Sequence, residues 1–369
     1  MDITDNPGNN SSISSSSSER LGNLFHGGTV MTESNSYTSD VPIYEMIPTV
    51  FPLIIKRKDI KLSLPAGSIF VNDRGLVSYT IPARYKDMDV ICTASIARNS
   101  NILTVKQNEH IWFMSEELSP CRYMVSLLGG LKAYASELGL SSRELYYGTE
   151  VGEDTVEKPP LQLYVMKGYQ NGTLGEYLRD RRLNYLRIEP FYFLQMAICL
   201  FSMLADAHTL NIGLVDISLD SLYVATDGGI YFSGYRSCLF LHESSVHSST
   251  STKDSSDCYY SWINPATIKC PEYEKLKTNY LKETDVFLAS CILLKLVQKP
   301  ESQAKDLFEI DAESEKVVLD EQELDYSTFE KVIPIIKRGL NYDYTERLSA
   351  KDMLYCFETM RSKALAAHT

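Results

Sequence analysis

The sequence predicts an α+β fold with two lobes, a small β-rich lobe followed by a larger helical lobe. Short strand-like segments fill residues 46–168, whereas apolar residues recur at helical spacing through most of residues 169–366. The chain has 369 residues, of which 44% are hydrophobic and 23% charged, so a large core can form. Together these observations favour one globular bilobal unit that follows a polar tail.

The first 45 residues are predicted to be a disordered tail. Seven of the eight residues from Ser11 to Ser18 are serine, and asparagine and glycine surround them. A segment of this composition buries too little apolar surface to offset the entropy lost when its backbone is ordered. Residues 1–45 also lack the apolar core of a signal peptide, and we expect no transmembrane segment in the chain.

The first lobe is predicted from short apolar segments bounded by turn residues. The candidate strands are residues 50–55, 68–71, 76–81, 90–94, 143–149 and 161–166. Asn-Asp-Arg-Gly at 72–75 predicts a hairpin turn between two of them. Residues 106–138 carry apolar side chains at helical spacing, so we expect helix there.

The second lobe is predicted to be mainly helical because its apolar residues recur every three to four positions. The candidate helices are residues 173–178, 190–208, 283–298, 326–338 and 349–363. Two short strands, 222–224 and 230–232, flank Asp-Gly-Gly, which predicts a second hairpin turn. A serine-rich loop is expected at 242–257.

The formal net charge of −12 argues against nucleic acid or an anionic membrane as the main partner. The chain has eight cysteines and no Cys-x-x-Cys pair, so we expect no zinc site. Cys238, Cys258 and Cys270 fall in or near a loop, where a disulfide is plausible only if the protein is exported.

Local motifs from residue 164 onward follow the order found in protein kinases. They are Tyr-Val-Met-Lys-Gly at 164–168, Asn-Gly-Thr-Leu at 171–174, Ala-His at 207–208, Thr-Asp-Val-Phe-Leu at 284–288 and Asp-Tyr-Thr-Glu-Arg-Leu-Ser-Ala at 343–350. Residues 50–365 therefore resemble the protein kinase superfamily. The resemblance places Met166, Lys167 and Gly168 at the hinge. It also implies that Asp285 hydrogen-bonds the catalytic-loop backbone and that Arg347 is buried.

The residues that would perform phosphoryl transfer depart from the kinase pattern. In the position of His-Arg-Asp-x-Lys-x-x-Asn the chain has Leu214, Asp216, Ser218 and Ser221, and Gly234 replaces the aspartate of Asp-Phe-Gly. In active kinases the asparagine and that aspartate hold Mg²⁺. Glycine offers no ligand, and a hydroxyl is a poor substitute for an amide oxygen. Only Asp216 keeps its kinase identity, as a vestigial base.

Other parts of the nucleotide site are also absent. Residues 61–80 contain no G-x-G-x-x-G motif, and no lysine lies between Lys86 and Lys106, where the strand lysine of kinases is expected. In kinases that lysine pairs with a glutamate on a helix. The candidates for this glutamate here are Glu109, Glu116 and Glu117, which we interpret as solvated helix charges. Leu214 and Tyr235 are expected to pack as part of a hydrophobic spine.

Where kinases have Ala-Pro-Glu, this chain has Asn-Pro-Ala at 264–266. A buried Arg347 therefore needs another carboxylate, or backbone carbonyls, as its partner. The resemblance thus implies a catalytically inactive pseudokinase, with no bound ATP and no Mg²⁺. It would act by binding another protein as scaffold, allosteric regulator or decoy.

A narrower resemblance links Phe-Ser-Gly-Tyr-Arg at 232–236 to the rhoptry-type pseudokinases secreted by Toxoplasma and related parasites. This resemblance implies secretion to the parasitophorous vacuole or cyst wall, and otherwise we expect a cytoplasmic protein. The partner would then be an active kinase or a component of the vacuole or cyst wall. Two alternatives stay open, a weak atypical Ser/Thr kinase that uses Asp216 and a structural component of an extracellular layer.

Overall fold

The computed structural model confirms the α+β prediction, with an antiparallel sheet followed by a mainly helical part. The residues described belong to one compact unit, Tyr44–Thr369. They are 53–63, 67–71, 76–97, 101–134, 137, 161–215, 217–241, 270–272, 281–302, 304 and 306–366. The predicted tail (1–45), the predicted strand 143–149 and the serine-rich loop lie outside these residues.

Six strands form the antiparallel sheet, in the order β1-β3-β4-β6-β5 with β2 also paired to β3. The strands are β1 (Ile60–Leu62), β2 (Gly67–Val71), β3 (Leu76–Tyr85), β4 (Met88–Ala97), β5 (Leu127–Ala133) and β6 (Leu161–Lys167). The predicted hairpin between β2 and β3 is confirmed, since Val71 pairs with Val77 across it. Its turn residues lie outside the described part.

The sheet has two buried faces because side chains along a strand alternate in direction. On β4, Val90 and Cys92 pack in one apolar cluster with Ile81, while Ile91 on the same strand joins the larger cluster of the helical part. The same alternation occurs on β6, where Met166 faces the helical part and Val165 faces away. The inner face of the sheet therefore shares its core with the helices.

Helix α1 (Asn101–Glu117) connects β4 to the segment before β5, and in the described part of the chain six further helices follow the sheet. They are α2 (Leu174–Leu183), α3 (Pro190–Thr209), α4 (Lys282–Leu296), α5 (Tyr326–Phe329), α6 (Ile333–Gly339) and α7 (Ala350–Ala366). Three two-stranded sheets are added by β7 (Ile212–Gly213) with β10 (Leu239–Phe240), β8 (Leu222–Val224) with β9 (Ile230–Phe232), and β11 (Phe308–Asp311) with β12 (Lys316–Leu319).

Helix α3 is the centre of the helical core. Thirteen of its residues are buried, and its aromatic side chains stack on α7, with the rings of Phe201 and Phe357 5.7 Å apart. Among the described residues, α3 is the one helix long and apolar enough, by length and composition, to cross a membrane. Because 67% of the apolar stretch of α3 is buried inside the protein, we interpret α3 as a central core helix.

Three of the predicted elements are wrong in detail. The predicted helix 106–138 ends at Glu117, and β5 follows it, paired with β6 from Leu127 to Ala133. Gly129 in β5 lies where the backbone of Leu53 approaches closely. A Cβ added at Gly129 would lie 2.5 Å from the Leu53 carbonyl oxygen. The predicted helix 326–338 is divided into α5 and α6. Of the predicted strand 50–55, the described residues 53–55 form only an isolated bridge at Ile54.

Arg347 is buried and forms a two-pronged ion pair with Glu272. Its Nη1 and Nη2 lie 2.5 and 2.7 Å from the two carboxylate oxygens, and its guanidinium lies 4.8 Å from the centre of the Phe287 ring. Burial alone would raise the pKa of Glu272, but the hydrogen bonds and charge of Arg347 lower it below its ordinary value. The pair links the segment before α4 to the segment before α7.

We predict that Arg347→Ala lowers the free energy of unfolding by about 3–5 kcal/mol, because it leaves the Glu272 carboxylate buried and without its cation. Urea denaturation followed by circular dichroism measures this difference. The matched control is Arg84→Ala, which removes an exposed pair with Asp89 at 3.8 Å and should cost no more than about 1 kcal/mol. Equal losses in the two variants would contradict the structural role of the buried pair.

Candidate functional site

A cleft of about 580 Å³ lies between the inner face of the sheet and the helical part. Strands β3 and β4 contribute Thr80 and Ile91 to its wall, and β8 contributes Tyr223. The connection from β6 to α2 runs along one side of this cleft. A concave space of this size is the usual place for a ligand site. We call it the interlayer cleft.

Two members of a cluster of four tyrosines, Tyr169 and Tyr223, line the interlayer cleft. The ring of Tyr169 lies 4.7 Å from that of Tyr231 and 6.2 Å from that of Tyr223, and Tyr123 meets Tyr231 edge-on at 5.8 Å. Tyr223 and Tyr231 are cross-strand partners on β8 and β9, which places both rings on one face of that hairpin. Burial, then the nearby Tyr231 and Asp227, raise the pKa of Tyr169. These hydroxyls therefore stay protonated near neutral pH.

The predicted hinge residues occupy the end of β6 and the connection that follows it. The side chain of Met166 is buried in the core below the cleft. The backbone N–H groups of Lys167 and Gly168 donate to the carbonyl oxygens of Ser126 and Asp89 at 3.0 and 2.8 Å. Those two donors are thereby satisfied within the protein rather than presented to a ligand.

Asp285, at the start of α4, fixes the loop that follows β7. Its carboxylate accepts hydrogen bonds from the backbone N–H groups of Leu214 and Val215, at 2.9 and 3.0 Å, and lies 2.9 Å from Nε2 of His208. Val215 has φ = 63°, an unfavourable conformation for a β-branched residue. A fully buried carboxylate therefore holds a strained loop backbone in position.

Ser221, at one of the two positions where kinases hold Mg²⁺, is hydrogen-bonded to two further serines, Ser218 and Ser233. The Ser221 hydroxyl accepts from the backbone N–H of Ser218 at 2.9 Å and donates to the Ser218 carbonyl at 3.1 Å. The hydroxyl and the N–H of Ser233 both donate to the Ser221 carbonyl, at 3.1 and 2.9 Å. The hydroxyls thus serve the local backbone. Asp216, the predicted vestigial base, lies outside the described residues.

Gly234 has no room for a side chain. A Cβ added at this position would lie 2.6 Å from Cζ of the Phe232 ring, closer than real Cβ contacts occur. The neighbouring Tyr235 is buried, and its hydroxyl donates to the Val125 carbonyl at 2.5 Å. Leu214 is also completely buried in the same apolar cluster as Tyr235. The Phe232 ring thus occupies the space that an aspartate at position 234 would need.

On helix α1 a histidine is buried, whereas the three candidate glutamates are exposed. His110 is 6% exposed and its Nε2–H donates to the Cys238 carbonyl at 2.8 Å. Glu109, Glu116 and Glu117 are all exposed, as solvated helix charges would be. The buried histidine was not predicted, although its position one residue after Glu109 in an apolar helix was a usable signal.

The structure does not join Cys238 to Cys270, since both are buried thiols. The third predicted candidate for a disulfide, Cys258, lies outside the described residues. Asn-Pro-Ala at 264–266 also lies outside them. The carboxylate that Arg347 requires is supplied by Glu272 in Cys-Pro-Glu at 270–272, a sequence signal that we overlooked.

Comparison with known proteins gives no relative, because no protein-family model and no curated protein matches this chain. In the part of the chain that the structure describes, no group of three His, Cys, Asp or Glu residues is placed to hold a metal ion. The interpretation of the cleft therefore depends on the geometry given above.

We predict that Asp285→Ala lowers the free energy of unfolding by about 3 kcal/mol or more, because two buried N–H groups lose a charged acceptor. Hydrogen exchange at the amides of Leu214 and Val215 should accelerate in parallel. Asp206→Ala is the control, since that carboxylate pairs with Arg122 at a partly exposed site and should cost about 1 kcal/mol. Unchanged protection of the two amides would contradict the role of Asp285.

We predict that Gly234→Ala lowers the free energy of unfolding by about 1–3 kcal/mol, because its Cβ overlaps the Phe232 ring. In a Phe232→Leu background the same alanine should cost less, since the smaller side chain leaves room for the Cβ. Urea denaturation of the four proteins in this cycle gives the coupling between positions 232 and 234. Additive effects of the two substitutions would show that the ring does not occupy this space.

Proposed function

We propose that this protein is a catalytically inactive pseudokinase with a bilobal kinase-like fold that acts by binding another protein. The sheet would be the first lobe and the helical part the second, with residues 166–168 as the hinge. The observation that carries the proposal is the contact between Gly234 and Phe232, because it leaves no room for the Mg²⁺-binding aspartate that phosphoryl transfer requires.

The serine hydrogen bonds support the same proposal. A Mg²⁺ ion requires near-octahedral coordination by oxygen ligands, usually carboxylates together with water and phosphate. The hydroxyl of Ser221 donates to the carbonyl of Ser218, three residues before it in the same loop. Recruiting that hydroxyl to a metal would break this bond, and the neutral ligand would supply little binding energy in return.

The charges around the interlayer cleft also disfavour a triphosphate. Its charged lining residues are two arginines and three acids, namely Arg84, Arg179, Asp89, Glu176 and Asp220. Arg84 already pairs with Asp89 at 3.8 Å. Three carboxylates facing a polyphosphate would repel it unless metal ions intervened. The cleft therefore lacks the positive charge that phosphate binding requires.

Contacts between the sheet and the helical part support a fixed scaffold. The N–H of Phe232 donates to the Tyr123 carbonyl and the N–H of Val125 donates to the Phe232 carbonyl, both at 2.9 Å. The hydroxyl of Tyr235 adds a third bond to the same segment, and His110 ties α1 to the residue before β10. A protein held in one arrangement without nucleotide can present a constant surface to a partner.

We predict that ATP with Mg²⁺ or Mn²⁺ leaves the thermal unfolding midpoint unchanged at millimolar nucleotide, because a ligand raises the midpoint only if it binds the native state. A thermal-shift titration measures this, and a phosphorylation assay with a general protein substrate accompanies it. A metal-dependent rise in the midpoint would favour the weak-kinase alternative. Phosphate transfer that is lost in Asp216→Ala would overturn the proposal.

A further inference from the structure

A small cavity of about 20 Å³ lies where the C-terminal half of α2 meets the end of α4 and the start of α5. Much of its lining is apolar and buried, contributed by Leu178, Ile188, Leu296 and Phe329. A space of this size admits one water-sized particle. We call it the α2–α4 cavity.

The charged side chains that line the α2–α4 cavity are mostly positive. Four cations and one carboxylate give a sum of +3, from Arg181, Arg182, Arg187, Lys295 and Asp325. Lys295 is also attracted by Asp306, an exposed residue outside the lining, and counting it leaves +2. Burial lowers the pKa of Arg182, and burial followed by the Arg182 charge lowers the pKa of Lys295. Positive charge in this cavity is therefore only partly compensated.

Arg181 brings a donor without an acceptor to this cavity. Its two Nη groups donate to the Tyr177 hydroxyl and to the Arg187 carbonyl. Its Nε–H is buried and has no hydrogen-bond partner among the described residues. Arg182, by contrast, donates to the side-chain oxygen of Gln298. A buried charged donor that stays unpaired is costly, so the Arg181 Nε–H calls for an acceptor inside the cavity.

Asp325 compensates little of the positive charge because its carboxylate serves mainly the start of α5. Its Oδ1 accepts from the Ser327 hydroxyl at 2.5 Å and from the Thr328 N–H at 3.3 Å. Its Oδ2 makes no hydrogen bond within the described part and lies 3.6 Å from Nη1 of the half-exposed Arg187. A water molecule could satisfy both Oδ2 and the Arg181 Nε–H, but it would leave the positive charge uncompensated. A small anion offsets that charge.

We propose that the α2–α4 cavity is a chloride site, in which the Nε–H of Arg181 donates to the ion and Arg187 and Lys295 supply positive charge beside it. Hydrogen bonds between ionised groups are stronger than neutral ones, and the apolar lining strengthens them further by lowering the local dielectric. Phosphate and carboxylate ligands are too large for a space that admits one water-sized particle. A bound chloride would link the ends of α2 and α4 to α5, and this role does not depend on whether the interlayer cleft binds nucleotide.

The test is thermal unfolding of the full chain at constant ionic strength, with sodium chloride exchanged stepwise for sodium gluconate, whose anion is too large for the cavity. We expect the unfolding midpoint to rise with chloride concentration, because the ion binds only the native state. Chlorine NMR line widths of the same samples should show excess broadening by bound chloride. Arg181→Gln and Arg187→Gln should each weaken chloride binding roughly tenfold or more, since each removes a charge at the ion.

Arg338→Gln is the matched control, because it removes an exposed arginine on α6, outside the cavity, and should leave the chloride dependence unchanged. Asp325→Asn distinguishes an ion from a water molecule, since loss of the carboxylate charge should tighten chloride binding. If Arg181→Gln fails to fold, Arg187→Gln, at a half-exposed side chain, carries the test. Equal midpoints in chloride and gluconate, a chloride dependence kept by the arginine variants, or weaker binding in Asp325→Asn would overturn the proposal.

Discussion

The arrangement of the candidate site depends on one buried carboxylate, that of Asp285. It is completely buried, accepts two backbone N–H bonds from the loop after β7 and meets His208 at the end of α3. Without these bonds, nothing on Asp285 would offset the conformational energy that the positive φ of Val215 costs. The loop in turn positions Leu214 in the core and receives the Ser237 hydroxyl on its carbonyl. One side chain of α4 thus fixes the backbone of the loop that leads from β7 to Ser218 and Ser221.

Around that fixed loop, polar groups that could serve chemistry are satisfied internally. Ser218, Ser221 and Ser233 bond to one another, and the hinge donors bond to neighbouring carbonyls. Aromatic rings also pack here, with Tyr169 over the β8–β9 hairpin and Phe232 beside Gly234. Buried polar groups that are already paired gain little from a ligand and lose much if they are pulled away. The site is therefore arranged for stability of the fold, which agrees with the proposed binding role.

Local patterns predicted many elements well. Strands β8 and β9 were predicted to the residue, because Asp-Gly-Gly specifies a tight turn between two short apolar segments, and α3 was predicted within one residue from its apolar spacing. The hairpin of β11 and β12 was missed because the outward residues of β11, Glu309 and Asp311, are acidic, and acidic residues are poor strand formers in isolation. Residues 127–133 were assigned to a helix because their leucines suit either structure, and the long-range pairing of β5 with β6 makes them a strand.

The sequence by itself determined which chemical groups are present, including serine at 218 and 221, glycine at 234, and an acidic chain whose charge is concentrated in one segment. Only the tertiary structure decided what those groups contact. The Glu272 carboxylate on Arg347 and the Asp285 carboxylate on the Leu214 and Val215 N–H groups depend on how separate segments pack. The physical reason is that a residue type limits the interactions a side chain can make, while long-range packing selects the partner.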